Sequence, residues 1–255
     1  VGGCRVVLGS VAMVPLPLGS TGIVRGRGAL SVSPVCVESS MSRQTVALHA
    51  KHPSFAAMPR TVVVLAFDEL LLLNAAGPLE VFAAIPRLLG GAFASHPPYR
   101  LVLVSPAGGQ ITSVSGISVN TLSLEQLDRQ APVIDTLIVA GGPGVSALEA
   151  SAHVCSWLRS RAAHIRRLCS IGTGTFALAA AGLLDGRKVV THWKFAEQLQ
   201  ARYPALQCQS EGLYLHDANL WTCAGAAAGI ALALGLVEQD LGAHAALALA
   251  RSFTV

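Results

Sequence analysis

Charge is scarce in this chain. Only 13% of the residues are Asp, Glu, Lys or Arg, against 52% hydrophobic ones. What charge there is falls unevenly. Residues 1–57 hold five basic residues (Arg5, Arg25, Arg27, Arg43 and Lys51) and one acid, Glu38, which together account for the formal net charge of +4. Residues 58–255 carry 13 basic and 13 acidic residues. A neutral remainder argues against a nucleic-acid surface, which is built by neutralising phosphates. Paired cysteines are missing as well. The six cysteines (Cys4, Cys36, Cys155, Cys169, Cys208, Cys223) form no CxxC pair and no Cys/His spacing suited to zinc. Buried free thiols in a reducing, cytoplasmic setting are expected instead. Long apolar runs are absent too. The most apolar window, Ala224 to Val237, is 14 residues long and is followed by Glu238 and Asp240. A bilayer needs about 20, so no membrane partner is expected.

What is present is the material of one α/β domain. Residues 1–57 are rich in Gly, Ser, Val and Pro without a sustained period, and resemble an acid-poor transit leader. The reading favoured here is an upstream translated stretch or a disordered tail, because Met58-Pro59-Arg60 stands directly before the first convincing strand. The domain is therefore placed at 58–255. Thr61 to Phe67 (TVVVLAF) is a continuous β-branched run, the pattern of a strand buried on both faces. A turn at Asn74 to Gly77 leads into a helix opened by Pro78, whose missing N–H suits a first helical turn. Tyr99 to Ser105 and Ile134 to Ala140 read as further strands, with a small hairpin over Gln110 to Asn120 and the glycine turn Gly141-Gly142-Pro143-Gly144 between strand and helix. One amphipathic helix is expected from about Ala150 to Ile165. Strands at Lys188 to Thr191, Gln207 to Ser210, Leu213 to His216 and Leu220 to Cys223 follow, the first leading into a helix over about Phe195 to Tyr203. Two Ala/Leu-rich helices end the chain. Alternating buried strands and helices imply a parallel sheet covered on both faces, with any site at the carboxyl ends of its strands.

The stretch Arg166 to Leu184 (RRLCSIGTGTFALAAAGLL) organises the rest. A short strand, Leu168 to Ile171, turns at Gly172-Thr173-Gly174 directly into a helix that Gly186 is expected to close. Such an elbow exposes one residue together with the backbone N–H groups of the helix start. In many α/β enzymes that residue is the nucleophile. Here it is Gly172, which has no side chain with which to attack.

At these residues the chain resembles the ThiJ/PfpI superfamily, within the class I glutamine-amidotransferase-like fold. Its branch forming the amino-terminal sensor domain of AraC-type transcription regulators is the nearest in flavour. The segments NAAGPLEVF (74–82), IDTLIVAGGPG (134–144), CSIGTGTFALAAAGLLDG (169–186), THW (191–193), NLWTCAGAAAGIALAL (219–234) and VEQDLG (237–242) carry the likeness, over residues 60–255 in order. The resemblance implies an α/β, doubly wound, mostly parallel sheet with helices on both faces, of flavodoxin-like architecture. In relatives the elbow holds a cysteine, and a carboxylate on the loop after the first strand hydrogen-bonds it. Those positions fall here on Gly172 and Asn74, and an amide is no proton acceptor of comparable basicity. Gly142 stands where relatives place an oxyanion hole, and His192 where many carry a histidine. Ala231 replaces an acid found on a later helix, and Cys223 a serine.

Both reacting side chains are thus gone from a kept scaffold, and no catalytic residue is expected. Non-covalent ligand binding is expected at Asn74, Gly142, Gly172, Thr173, Gly174, His192 and Cys223, with no metal and no cofactor. The implied function is the sensing of a small amine or amino-acid-like metabolite for an AraC-type regulator, whose DNA contacts belong to another module, and a homodimer is implied. Two alternatives stay open. One is a hydrolase or hydratase using Cys223 or an activated water. The other is a homodimeric interaction protein using the Ala-rich final helices. Read from the residues alone, Cys223 and Cys169 are also simple core thiols, His192 a loop residue, Trp193 core or pocket wall, and Glu80 either solvent-facing or a support to the site.

Overall fold

The β-branched run does become a strand buried on both faces, and it lies inside a mixed sheet. The computed structural model describes residues 58–130, 132–209 and 211–253. The reading of residues 1–57 as a leader lies outside the described residues. In chain order the strands are β1 (Arg60–Leu65), β2 (Tyr99–Ser105), β3 (Gly109–Thr112), β4 (Ser118–Ser123), β5 (Ile134–Val139), β6 (Arg167–Ile171), β7 (Lys188–Val190), β8 (Gln207–Gln209), β9 (Tyr214–Asp217) and β10 (Leu220–Cys223). Eight of them form one sheet in the order β3-β4-β2-β1-β5-β6-β10-β9. From β4 to β10 every neighbour is parallel; β3 and β9 close the two edges antiparallel. A separate parallel pair joins β7 to β8. The chain is a doubly wound, mostly parallel α/β domain. Val62 to Leu65, Leu137 to Val139, and Cys169 with Ile171 carry its core. Strands covered on both faces have no solvated side, which is why they read as continuous apolar runs.

Helices α1 (Leu72–Leu89), α2 (Ala92–Ser95), α3 (Leu124–Gln130), α4 (Val145–Ala150), α5 (Ala152–Ala162), α6 (Gly174–Ala180), α7 (Ala196–Arg202), α8 (Ala226–Leu241) and α9 (Ala243–Ser252) complete the domain. Helices α1, α8 and α9 pack on one another, as do α4, α5 and α6.

Four local expectations are corrected. Helix α1 starts six residues before Pro78, so Asn74 lies in its first turn rather than in a loop. Pro78 sits inside the helix and leaves the Asn74 carbonyl without its usual partner four residues on. Helix α1 is also long and apolar enough by length and composition to cross a membrane, a property that the shorter Ala224 to Val237 window does not reveal. Its Ala75, Val81, Phe82 and Ile85 are buried in the core. The single helix expected from Ala150 to Ile165 is two, because Ser151 is extended (φ −86°, ψ 104°) and its Oγ accepts the Val154 N–H as an N-cap. Finally, α6 ends at Ala180, and Gly182, at φ +69°, is the first left-handed residue past it, ahead of Gly186.

The amino-terminal edge of the sheet is fastened by charge. Arg167, 2% exposed, opens β6 and donates to Thr136 Oγ1 (3.0 Å), Leu236 O (3.1 Å) and Asp240 Oδ2 (2.7 Å). Tyr99 Oη, at the start of β2, donates to the same carboxylate oxygen at 2.7 Å. Arg166 binds Asp240 Oδ1 and the Asp135 carboxylate. Burial alone would push Asp135 up, but the hydrogen bonds from Arg166 and Thr136 hold it below the usual aspartate range. An acid depressed in the folded state stabilises above its unfolded value, near pH ~4, and that contribution is lost as pH falls through the folded value. Urea unfolding at pH 7 and pH 3 should therefore show a smaller loss on acidification in Asp135→Asn than in the parent chain.

Candidate functional site

The elbow forms as its glycines require. Gly172 follows β6 at φ +55°, in the left-handed region that glycine enters without strain. Its N–H donates to Cys223 O at 2.9 Å, and its carbonyl accepts from Thr191 Oγ1 (2.8 Å) and Thr175 Oγ1 (3.0 Å). A Cβ built here would meet Gly225 Cα at 3.4 Å and Asn74 Nδ2 at 3.7 Å. There is space for a side chain, so crowding does not impose the glycine. Gly142 is different. A Cβ there would stand 2.4 Å from Leu70 Cα, because the loops after β1 and β5 cross in contact. Its N–H donates to Thr173 Oγ1 (2.8 Å), and the same hydroxyl donates back to Gly142 O (3.0 Å). The donor expected to serve an oxyanion is thus engaged within the chain.

Asn74, 1% exposed, is a tie between three segments. Nδ2 donates to Gly141 O at 3.0 Å and Oδ1 accepts the Ala226 N–H at 2.7 Å, so α1, the glycine turn and the start of α8 meet on one side chain. An amide can serve both as donor and acceptor here; a carboxylate could serve only the second. His192 Nδ1 accepts the Lys194 N–H at 3.3 Å, and the ring lies 5.6 Å from that of Trp193 and 5.7 Å from that of Phe195. With Nδ1 accepting, the proton of the neutral ring resides on Nε2.

These residues line one cleft of about 740 Å³ at the carboxyl ends of the parallel strands. Asn74, Gly142, Gly172, Thr173 and His192 are brought to its wall, and Trp193, 75% exposed, stands at its rim. Gly174 and Cys223 are not. Gly174 is packed against the backbone of Val139 and Ala140, where a Cβ would lie 2.4 Å from Val139 O. Cys223 is fully buried, and burial pushes its thiol up to about 12. A thiol so far above neutral pH holds almost no thiolate, so it is no substitute nucleophile. Cys169 is buried likewise and also pushed up to about 12. Glu80 faces solvent.

The cleft is also lined by residues that the sequence does not single out. Glu149 ends its carboxylate against Arg202 (Nη2 to Oε1 3.1 Å) and accepts from Tyr203 Oη at 3.1 Å. The Arg202 guanidinium lies 5.7 Å from the centre of the Phe176 ring and 5.5 Å from that of Tyr203. Burial, reinforced by Glu149, raises the Tyr203 hydroxyl above its usual value and keeps it a donor. Nothing local marks this group, because Glu149 and Arg202 come from different helices that only the fold brings together.

A doubly wound α/β domain with a strand–elbow–helix cleft at its carboxyl edge is thus defined. The chain belongs to the DJ-1/PfpI family, which it matches over residues 60–239. It is 32% identical over 184 residues to an isonitrile hydratase of Pseudomonas putida, covering 71% of this chain and 72% of that protein. It is 28% identical over 195 residues to the HTH-type transcriptional regulator GbdR of Pseudomonas aeruginosa, covering 76% of this chain. The match spans half of that regulator's length. Among solved structures, an AraC family transcriptional regulator from Pseudomonas putida superposes with a TM-score of 0.64 at 19% identity, covering 77% of this chain and 100% of that one.

Proposed function

We propose that this domain is the ligand sensor of an AraC-type transcription regulator, and that it binds a small amine or amino-acid-like metabolite without transforming it. One observation carries the reading: the elbow at Gly172 presents no nucleophile, and the group facing it, Asn74, is an amide whose two ends are spent on Gly141 and Ala226. The 28% identity to a regulator over 76% of this chain supports it. Binding relies on the remaining cleft wall, with His192 and the elbow N–H of Thr173 as the polar contacts. The domain works as a homodimer in the cytoplasm and leaves DNA contacts to another module.

A panel of amino acids, betaines, polyamines and small amides tests this by thermal shift, with each hit followed by mass spectrometry. A ligand at a hundred times its Kd adds about 2.7 kcal/mol to native stability, or roughly 5–10 °C in Tm for a domain of this size. The expected result is such a shift with the ligand recovered intact.

The likeness to an isonitrile hydratase favours a second reading, a hydratase or hydrolase in which a water replaces the missing cysteine and His192 Nε2 manages its protons. Consumption of a panel compound by the parent chain, abolished in His192→Ala, would establish it in place of the sensor.

A further inference from the structure

Two charged side chains line the cleft, Glu149 and Arg202, and they are not equally available. Glu149 is 8% exposed at its side chain and both of its oxygens are occupied: Oε1 by Tyr203 Oη and Arg202 Nη2 at 3.1 Å each, Oε2 by Arg202 Nη1 at 3.3 Å. Arg202 is 46% exposed and spends only one edge of its guanidinium on that carboxylate. The fork carries five donors in fixed geometry. Its plane is held by the Phe176 and Tyr203 rings. A surface ion pair without further purpose leaves both partners in water and contributes about 0–1 kcal/mol. Here the acid is covered and consumed in holding the base, while donors of the base remain open to the cleft.

We propose that Arg202 is the carboxylate anchor of this cleft, positioned by Glu149 and Tyr203, and that it narrows the ligand proposed above to a small monocarboxylate rather than a simple amine. The inference rests on the reading that this cleft is the ligand site. A cationic group on a ligand finds no open acid among the described residues of the wall, since Glu149 is covered. A carboxylate finds a planar fork already turned and desolvated on one side, the geometry that favours bidentate pairing over a point contact. The aromatic and aliphatic wall of His192, Trp193, Phe195 and Leu213 then receives the body of the molecule.

The test uses the full chain and four probes up to 50 mM, butanoate, butanamide, butylamine and inorganic phosphate, read by Tm and by tryptophan fluorescence. Butanoate is expected to bind at least about tenfold more tightly than butanamide or butylamine, the discrimination of one charge-assisted hydrogen-bonded pair. Phosphate separates a general anion site from a carboxylate site, and phosphate binding as tight as that of butanoate overturns the proposal. Because Arg202→Gln alone would strand a covered acid, the decisive variant is Glu149→Gln/Arg202→Gln, which removes both charges. It should lose the butanoate preference and keep its far-UV circular dichroism. Arg202→Lys should recover less than half of the preference, and Tyr203→Phe should weaken butanoate binding two- to fivefold by loosening Glu149. Absence of any carboxylate preference in the parent chain, or its survival in the double variant, overturns the proposal. A sensor ligand recovered intact with the double variant unchanged would sink the anchor and leave the sensor standing. Turnover of a ligand whose binding depends on Arg202 would do the reverse.

Discussion

Asp240→Ala is expected to be strongly destabilising, costing about 3–5 kcal/mol of stability. Asp240 is 1% exposed at its side chain and gathers Tyr99, Arg166 and Arg167 onto the first residues of β2 and β6 and the residue before β6. Arg60, first in β1, lies 4.0 Å away. Removing the carboxylate leaves Arg167, 2% exposed, with Thr136 and Leu236 and a 3.5 Å approach to Asp135. The stranded buried charge costs more than the lost attraction itself. The loss should appear in urea unfolding as a lower midpoint at unchanged slope, and in a Tm lowered by roughly 6–20 °C. Two controls separate this cause from simple loss of packing. Arg166→Ala should cost about 1 kcal/mol or less, because its side chain is 44% exposed and solvent screens its pairs. Arg167→Met/Asp240→Leu, which removes both buried charges together, should be milder than Asp240→Ala. If the double variant is as unstable as the single one, packing rather than stranded charge is what Asp240 supplies.

The difference between that network and the cleft explains what can be read from the sequence. Strands such as TVVVLAF and IDTLIVA announce themselves because burial on both faces demands an unbroken apolar run, and the order of strands and helices then dictates a doubly wound sheet. The elbow is equally local: strand, glycine, helix, within a few residues. The start of α1 is not local. Its first turn is held by Gly141 O and Ala226 N–H acting on Asn74, from 67 and 152 residues away, so Pro78 reads as the opening residue when it is an interior one. The break between α4 and α5 turns on a single serine that caps one helix by ending another. The Glu149–Arg202–Tyr203 group depends on the ends of two helices meeting in space, a relation no periodicity carries. The same holds for Gly142: its presence is legible, but the engagement of its N–H by Thr173 is not. Motifs that lie within one turn of chain are visible, and the bonds that decide whether their atoms are free are not.

Those bonds make Asn74→Asp the sharpest probe of the elbow. The substitution supplies the carboxylate that the resemblance implies for this position, where the amide now donates to Gly141 O. An ionised aspartate cannot donate, so two oxygens would face each other about where the 3.0 Å hydrogen bond now lies, in a site 1% exposed. The expected loss at pH 7 is about 2–4 kcal/mol, an unmade buried hydrogen bond with a buried charge added. A protonated aspartic acid, by contrast, can donate to Gly141 O and still accept from Ala226. Its folded pKa is therefore raised above the unfolded ~3.9. A group so raised keeps its stability below the unfolded value and loses it as pH climbs toward the folded one. Asn74→Asp should accordingly approach the parent chain in urea midpoint near pH 4 and fall away between pH 4 and 7. Gly172→Cys supplies the other half, with a strain of about 1–2 kcal/mol for a side chain at φ +55° but no clash nearer than 3.4 Å. In Asn74→Asp/Gly172→Cys the thiol and the carboxyl group face each other across the same gap. Iodoacetamide should then label the thiol introduced at the elbow faster than the buried Cys223 by orders of magnitude, because a thiolate forms only where donors and solvent reach it. Equal, slow labelling at both positions would mean that the elbow does not present its residue to the cleft, and the absence of a nucleophile at Gly172 would then carry no functional weight.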